Sequence, residues 1–423
     1  MSDILVIGIT GPKGAGRHRA ASYLADAHGF RKLNLSSFLR KEAGEGASVD
    51  DLQNLGTQWR EAEGSGVLAD LAARAMDTEG GQRWVVCGIK NPAEIQRLRD
   101  LGSFTLVAVE ASADTRWDRV EPDYGGDRTE FDRNDGRDER ETDPVTCEWR
   151  AHGQNVRQCV RRADYFVWND TPLQARHAQS GPAMVPSLEQ DGTIRSFEDK
   201  LARLVDMLDR PGPHQPTDVE VRMSQAHTIS RQSDCLQRKV GAVLVNAKGY
   251  TIAEGCNRAP EGAHGCKAKQ DQCYRAQERR KWATNMSKAV KCGHCGGQLD
   301  PDLTCLNPDC RKAVPRALKR PRDLELCRAI HAEESTLLQA SRFGGQGAEG
   351  GTLYTTTFPC ALCAKKIIET KLASVIYLEP YPGKEALDFL RTYDIDLRHF
   401  EGVSQRAFPL LFPLEPRERD DDP

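Results

Sequence analysis

The chain opens on an unbroken apolar run, residues 4–10 (ILVIGIT), which ends in the glycine-rich turn GPKGAGRH at 11–18. A short apolar run bounded by glycine reads as a strand buried on both faces. Beyond the turn, Ala21, Leu24 and Ala25 fall on one helical face. The segments 84–92 and 106–110 read as further strands. Ser196 and Asp199 resemble a capping box ahead of a helix that carries Phe197, Leu201, Leu204, Val205 and Leu208 in one stripe. Pro211, Pro213 and Pro216 then forbid helix, which places a boundary between a first domain, 1–210, and a second, 217–423. In the second half the pattern predicts a helix over 218–232, a buried strand at 240–245 and its hairpin partner at 249–257. Residues 351–357 and 373–378 are strand-like. Helices are expected at 332–342, with Leu337 and Leu338 inward, and at 364–371, with Ile367 and Ile368 inward. Strands alternating with helices make both halves α/β.

A length of 423 residues suits two domains, and a net charge of −3 does not mark a general nucleic-acid binder. No apolar run approaches the roughly 18 residues of a membrane span, and the N-terminus lacks a signal-peptide pattern, so a cytoplasmic protein with no membrane partner is expected. In such a chain, fourteen cysteines point to metal sites rather than disulfides. Cys292 and Cys295, then nine residues, then Cys305 and Cys310 have the spacing of a small zinc ribbon, inserted at about 264–322. The glycines 293, 296 and 297 suit its knuckle turn, and metal would supply the stability that so little apolar sequence cannot. Cys256, His264, Cys266 and Cys273 form either a further site or free buried thiols. From 264 to 322 there are fourteen Lys or Arg against five Asp or Glu, which reads as a solvated face or as a surface for polyphosphate or nucleic acid. Only Tyr274 and Trp282 interleave with those charges, a poor basis for stacking single-stranded bases.

The strongest chemical signal is His331-Ala-Glu333 followed by Pro359-Cys360-Ala-Leu-Cys363. One neutral imidazole and two thiolates offset the charge of Zn²⁺ and leave a fourth position open, where zinc lowers the pKa of water to roughly 7. Glu333, two residues from the histidine, can then carry protons without occupying the metal. H-x-E with P-C-x-x-C is the signature of zinc nucleobase deaminases. Cys360 and Cys363 open a helix, where the dipole favours thiolate.

The order R-K-V-G-A-V (238–243), G-x-N-x-x-P (255–260), H-A-E and P-C-x-x-C resembles the deoxycytidylate deaminase family across about 218–400. The resemblance implies a central sheet flanked by helices, assembly as a homo-oligomer, and zinc on His331, Cys360 and Cys363. It also implies Glu333 as the proton shuttle from water to cytosine N3 and then to departing ammonia, and Asn257 against the nucleoside. Arg238 and Lys239 either meet the substrate phosphates or form a solvated surface pair.

Residues 1–170 resemble P-loop nucleoside-phosphate kinases, with a charge-dense stretch at 123–141 in the place of the lid. Gly11, Gly14 and Gly16 keep the glycine-rich turn, whose N–H groups can cradle a phosphate. Arg17 stands where that motif has lysine, His18 where it has a magnesium-binding hydroxyl, and Cys87 where kinases carry an acid. Arginine still suits a phosphate, but histidine suits Mg²⁺ poorly, so a nucleotide-binding regulator is expected rather than a phosphotransferase, with a purely structural relic as the alternative. A P-loop kinase-like domain followed by a cytidine-deaminase-like α/β/α domain with a zinc-ribbon insert resembles the antiviral cytidine deaminases, or anti-phage dCTP deaminases. Membership would imply conversion of free dCTP and dCMP to uracil nucleotides, depletion of deoxycytidine nucleotides against phage, and restraint by a partner such as a small inhibitory RNA. The alternatives are a deaminase of cytosine in polynucleotides, and a nucleotide- or RNA-binding regulator with an inert deaminase site.

Overall fold

A computed structural model describes residues 4–44, 46–141, 151–170, 196–269, 272–300, 305–307, 309–310, 327–342, 347–379 and 384–413. The part of the basic stretch from 311 to 322 lies outside them. The chain forms two compact units, 1–224 with 398–423, and 225–397.

The first unit is built on five parallel strands: β1 (Leu5–Thr10), β2 (Arg31–Asn34), β3 (Arg83–Ile89), β4 (Ser103–Glu110) and β5 (Tyr165–Trp168), in the order β5-β4-β1-β3-β2. β1 lies at the centre, as its unbroken apolar run requires, with Ile7 and Ile9 fully buried. The glycine-rich turn leaves its C-terminal end and leads into the helix Arg17–His28. The expected helical stripe is also present: Phe197, Leu201, Leu204 and Val205 of the helix Phe197–Asp209 are buried in this core. The Ser196–Asp199 capping box forms as its spacing indicates.

The second unit contains the sheet β10-β9-β8-β6-β7. Its strands are β6 (Gly241–Val245), β7 (Thr251–Cys256), β8 (Thr352–Thr357), β9 (Ser374–Glu379) and β10 (Asp396–His399). β6 and β7 make the expected hairpin, β8 runs antiparallel to β6, and β8 and β9 are parallel. The helix Ala332–Arg342 lies close to β6, with Thr336 Oγ1 donating to the Ala242 carbonyl at 3.3 Å. Of the two leucines expected to face inward from it, Leu337 packs on the core, whereas Leu338 is 49% exposed. Adjacent helical positions diverge by about 100°, so one turn cannot bury both against a single sheet.

The boundary expected at 211–216, with everything beyond it in the second domain, is corrected at both ends. Glu220 lies past the prolines, yet it pairs with Arg203 at 2.8 Å and accepts the Val403 N–H at 2.8 Å, all within the first unit. A final strand, β11 (Gly402–Val403), pairs antiparallel with β5, and Val403 is buried in the first core. Two residues of strand carry no periodicity, and only the free edge of β5 explains their place.

His227, on the helix Asp218–Ser230, has its pKa lowered to about 4 by burial, with a smaller lowering from Arg231 and an opposing pull from Glu379. Its stabilising contribution is complete above the unfolded value near 6.5 and is lost as pH falls toward 4, because the unfolded chain takes up the proton first. The expected slope is roughly tenfold in the folding equilibrium per pH unit within that window. Denaturant titrations of wild type and His227→Asn at pH 7, 6 and 5 would check it: the stability gap between them should narrow with acid, and a constant gap would refute the assignment.

Candidate active site

The two halves of the signature meet because two helices begin at the same region of the second sheet. His331 immediately precedes the helix Ala332–Arg342, and Glu333 lies in its first turn, 4% exposed. Cys360 is the N-cap of the helix Ala361–Glu369, in extended conformation, and Cys363 is in that helix's first turn. Phe358 leads into it from β8, its N–H donating to the Glu379 carbonyl at 2.8 Å. Across the two helices Lys366 pairs with Glu334 at 2.5 Å, so Glu334 serves as a tie between them.

His331 Nδ1 lies 3.3 Å from Cys360 Sγ and 3.5 Å from Cys363 Sγ. Tetrahedral zinc has nitrogen–sulfur edges of about 3.6 Å, so the three donors fit that ion with one position left open. The Cys363 thiol also donates to Glu333 Oε2 at 3.6 Å, which puts the carboxyl beside the cluster. A hydrogen bond from Cys363 draws the Cys360 thiol down to about 4, while the same contact holds Cys363 up. A divalent cation would replace that proton and take both sulfurs as thiolates. Burial pushes the Glu333 carboxyl up, against the opposing pull of His331.

The structure places the other expected substrate contacts less directly. Asn257 is a clamp: its Nδ2 donates to the Arg238 carbonyl at 2.7 Å and its Oδ1 accepts the Val240 N–H at 2.7 Å. It thereby fixes the turn into β6. Arg238 is ion-paired with Glu379 at the end of β9, a partner that sequence spacing did not indicate. Lys239 is exposed.

The ribbon cysteines also converge. Cys292, Cys295, Cys305 and Cys310 have their sulfurs within 4.8 Å of one another, with Cys292–Cys310 at 3.8 Å and Cys295–Cys305 at 3.3 Å. The N–H groups of His294 and Cys295 draw Cys292 down to about 6, as in a metal-binding knuckle. Trp282, Met286 and Val290 pack on Cys292, Leu299 and Cys305, a very small core.

In the first unit Gly11, Gly14 and Gly16 adopt φ of 140°, 81° and 106°. A Cβ on Gly16 would stand 2.1 Å from Asn169 Nδ2, so the turn requires glycine there. Arg17 Nη1 is buried without a hydrogen-bond partner. The other cations around it are engaged: Lys90 with Asp138 at 2.8 Å, Arg116 with Asp135 at 2.6 Å, and Arg119 with the Gly14 carbonyl at 3.1 Å. Cys87 and His18 are neighbours, Sγ to Nδ1 3.7 Å.

A helix-flanked mixed sheet that sets one histidine, two cysteines and a buried glutamate at two helix starts defines a deaminase of the cytidine-deaminase type. Residues 216–379 match the family model of the cytidine and deoxycytidylate deaminase zinc-binding region. The deoxycytidylate deaminase of Enterobacteria phage T4 is 32% identical over 180 residues, 41% of this chain and 84% of that one. The Schizosaccharomyces pombe enzyme of the same name is 24% identical over 404 residues, 93% of this chain and 97% of that one. A dCMP deaminase from the cyanophage S-TIM5 is 21% identical, with a TM-score of 0.27 over 44% of this chain and the whole of that one. The chain belongs to the deoxycytidylate deaminase family.

Proposed function

We propose that this enzyme hydrolyses the exocyclic amine of free deoxycytidine nucleotides, dCMP, dCTP or both, giving the uracil nucleotide and ammonia. The observation that carries this reading is the buried Glu333 carboxyl beside the His331–Cys360–Cys363 cluster. Zinc held by those three residues would supply the Lewis acidity that makes water a nucleophile at neutral pH. Glu333 then does the proton work: its carboxylate takes a proton from the water as its oxygen bonds to C4 and gives that proton to ring N3, then takes the remaining hydroxyl proton and delivers it to the amine, so that the C4–N bond breaks, ammonia leaves and the C4 carbonyl forms. Its burial excludes bulk water from that relay. Asn257 holds the turn into β6 at the substrate side, and Arg238 and Lys239 are the candidates to meet phosphate.

The relatives named for action on deoxycytidylate support the substrate class. A second zinc on Cys292, Cys295, Cys305 and Cys310 would hold the insert together. The P-loop-like unit would bind a nucleotide through Gly11, Gly14, Gly16 and Arg17, whose orphaned guanidinium nitrogen suits a phosphate oxygen, and would regulate the deaminase. The physiological reading is that of a cytoplasmic, homo-oligomeric enzyme that depletes deoxycytidine nucleotides in defence against phage, under restraint by a small RNA.

The test is ammonia release from zinc-loaded protein given dCMP, dCTP, CTP and single-stranded DNA. Turnover of the free deoxynucleotides alone is the expected result. Activity confined to DNA would replace it with polynucleotide deamination, and silence on all four would leave a regulator with an inert site.

A further inference from the structure

In the first unit the helices Val49–Glu63 and Arg128–Glu139 are joined by polar side chains that are almost sealed from water. Both carboxylate oxygens of Asp138 accept from Lys90 Nζ, at 2.9 and 2.8 Å, and Oδ1 also accepts from Gln53 Nε2 at 2.7 Å. Just past the second helix, Glu141 accepts from Thr57 Oγ1 at 3.1 Å and from the Gln154 N–H at 3.0 Å. Helices packed for stability alone would meet on apolar faces. Here Gln53 Oε1 and Gln154 Oε1 are buried without a partner, as is Arg17 Nη1 at the glycine-rich turn. Buried polar atoms are ordinarily bonded, so three unmet ones around a single carboxylate point to a missing ligand.

The charges point the same way. Lys90 follows β3 and Arg17 follows the turn after β1. Burial pushes the pKa of both cations down, and Asp138 is the largest opposing pull on each. Asp135 cannot share that load, because both its oxygens are taken by Arg116, at 2.6 and 2.9 Å. Cys87 and His18 add no charge at neutral pH, since burial holds the thiol up and the imidazole down. One carboxylate thus stands against two cations. A phosphate dianion would balance both.

We propose that Lys90, Gln53 and Arg17 form a phosphate subsite in the first unit, and that the Asp138 carboxylate occupies it as a stand-in which a phosphate, free or esterified to a nucleoside, displaces. The proposal rests on the reading that the glycine-rich turn takes a phosphate. The helix that carries Asp138 is built to let go. Its second half, residues 134–139 (NDGRDE), has no apolar side chain, and Gly136 within it weakens the helix. Its first half is anchored by Phe131, which packs with Val120 and Tyr124. Displacing Asp138 would therefore free one end of the helix and leave the other docked. The unmet oxygens of Gln53 and Gln154 suit the hydroxyl or amine donors of a nucleoside. Competition from Asp138 would also set a threshold, because a ligand binds more weakly in proportion to how seldom its site is open.

The test is calorimetric titration of the zinc-loaded, full-length protein with inorganic phosphate, AMP and dTMP, in wild type, Asp138→Asn and Arg17→Met. Asparagine keeps the shape of the stand-in and gives up its charge. Asp138→Asn should bind at least one probe roughly tenfold more tightly than wild type, as expected when a competing closed state is removed. Adding Arg17→Met should abolish that gain. A gain for all three probes would make free phosphate sufficient, and a gain for AMP or dTMP alone would make the ligand a nucleotide. In wild type, a saturating probe should also speed amide hydrogen exchange across 134–139 and leave 332–342 unchanged, a readout that stands even if Asp138→Asn does not fold. Equal affinity in wild type and Asp138→Asn, or unaltered exchange in liganded wild type, would overturn the proposal and leave the phosphate reading of the turn intact. No binding in any of these proteins, or binding that Arg17→Met retains in full, would overturn both.

Discussion

Glu333→Gln should fold, keep its metal and lose turnover by at least roughly 10²–10⁴-fold, the range typical of a general acid–base group. Glutamine matches the carboxyl in shape and can still accept a hydrogen bond from Cys363, so the first turn of the helix Ala332–Arg342 need not repack. What is lost is the ability to take a proton from water and return it to the base. The deficit belongs in kcat, with the zinc content and unfolding midpoint close to wild type. If the variant were equally active, another group would have to carry the proton. An equal fall in zinc content would make Glu333 structural instead.

Cys360→Ser should reduce activity to background and remove one zinc ion per chain. A serine hydroxyl stays protonated at neutral pH, so the donor set keeps one thiolate and one imidazole, too little charge for a buried dication. The effect should be confined to the catalytic site, because the ribbon sulfurs lie in a separate cluster. Chelator treatment of wild type should reproduce the loss, and readdition of zinc should restore turnover in wild type alone. Full activity with one zinc fewer would exclude this cluster from the reaction.

The catalytic cluster was legible in the sequence because each of its halves is local. His331 and Glu333 are two residues apart, Cys360 and Cys363 three, and each pair opens a helix that its own apolar spacing announces. The ribbon was legible for the same reason, its four thiols falling within nineteen residues. What escaped depends on pairing across the chain. Arg238 meets Glu379 only because β6 and β9 both pair with β8. Asn257 was expected at substrate, but the structure shows both ends of its amide bonded to backbone, a role that residue identity alone does not reveal. Leu338 shows the limit of helical periodicity where two leucines are adjacent.

The pairing of Gly402–Val403 with β5 has a consequence for how the protein is made. During synthesis the first sheet cannot acquire its sixth strand until the entire deaminase unit has been translated. Cutting the chain just before Gly402 would thus injure the first sheet, most of whose sequence lies hundreds of residues away, and leave the residues of the catalytic cluster in place.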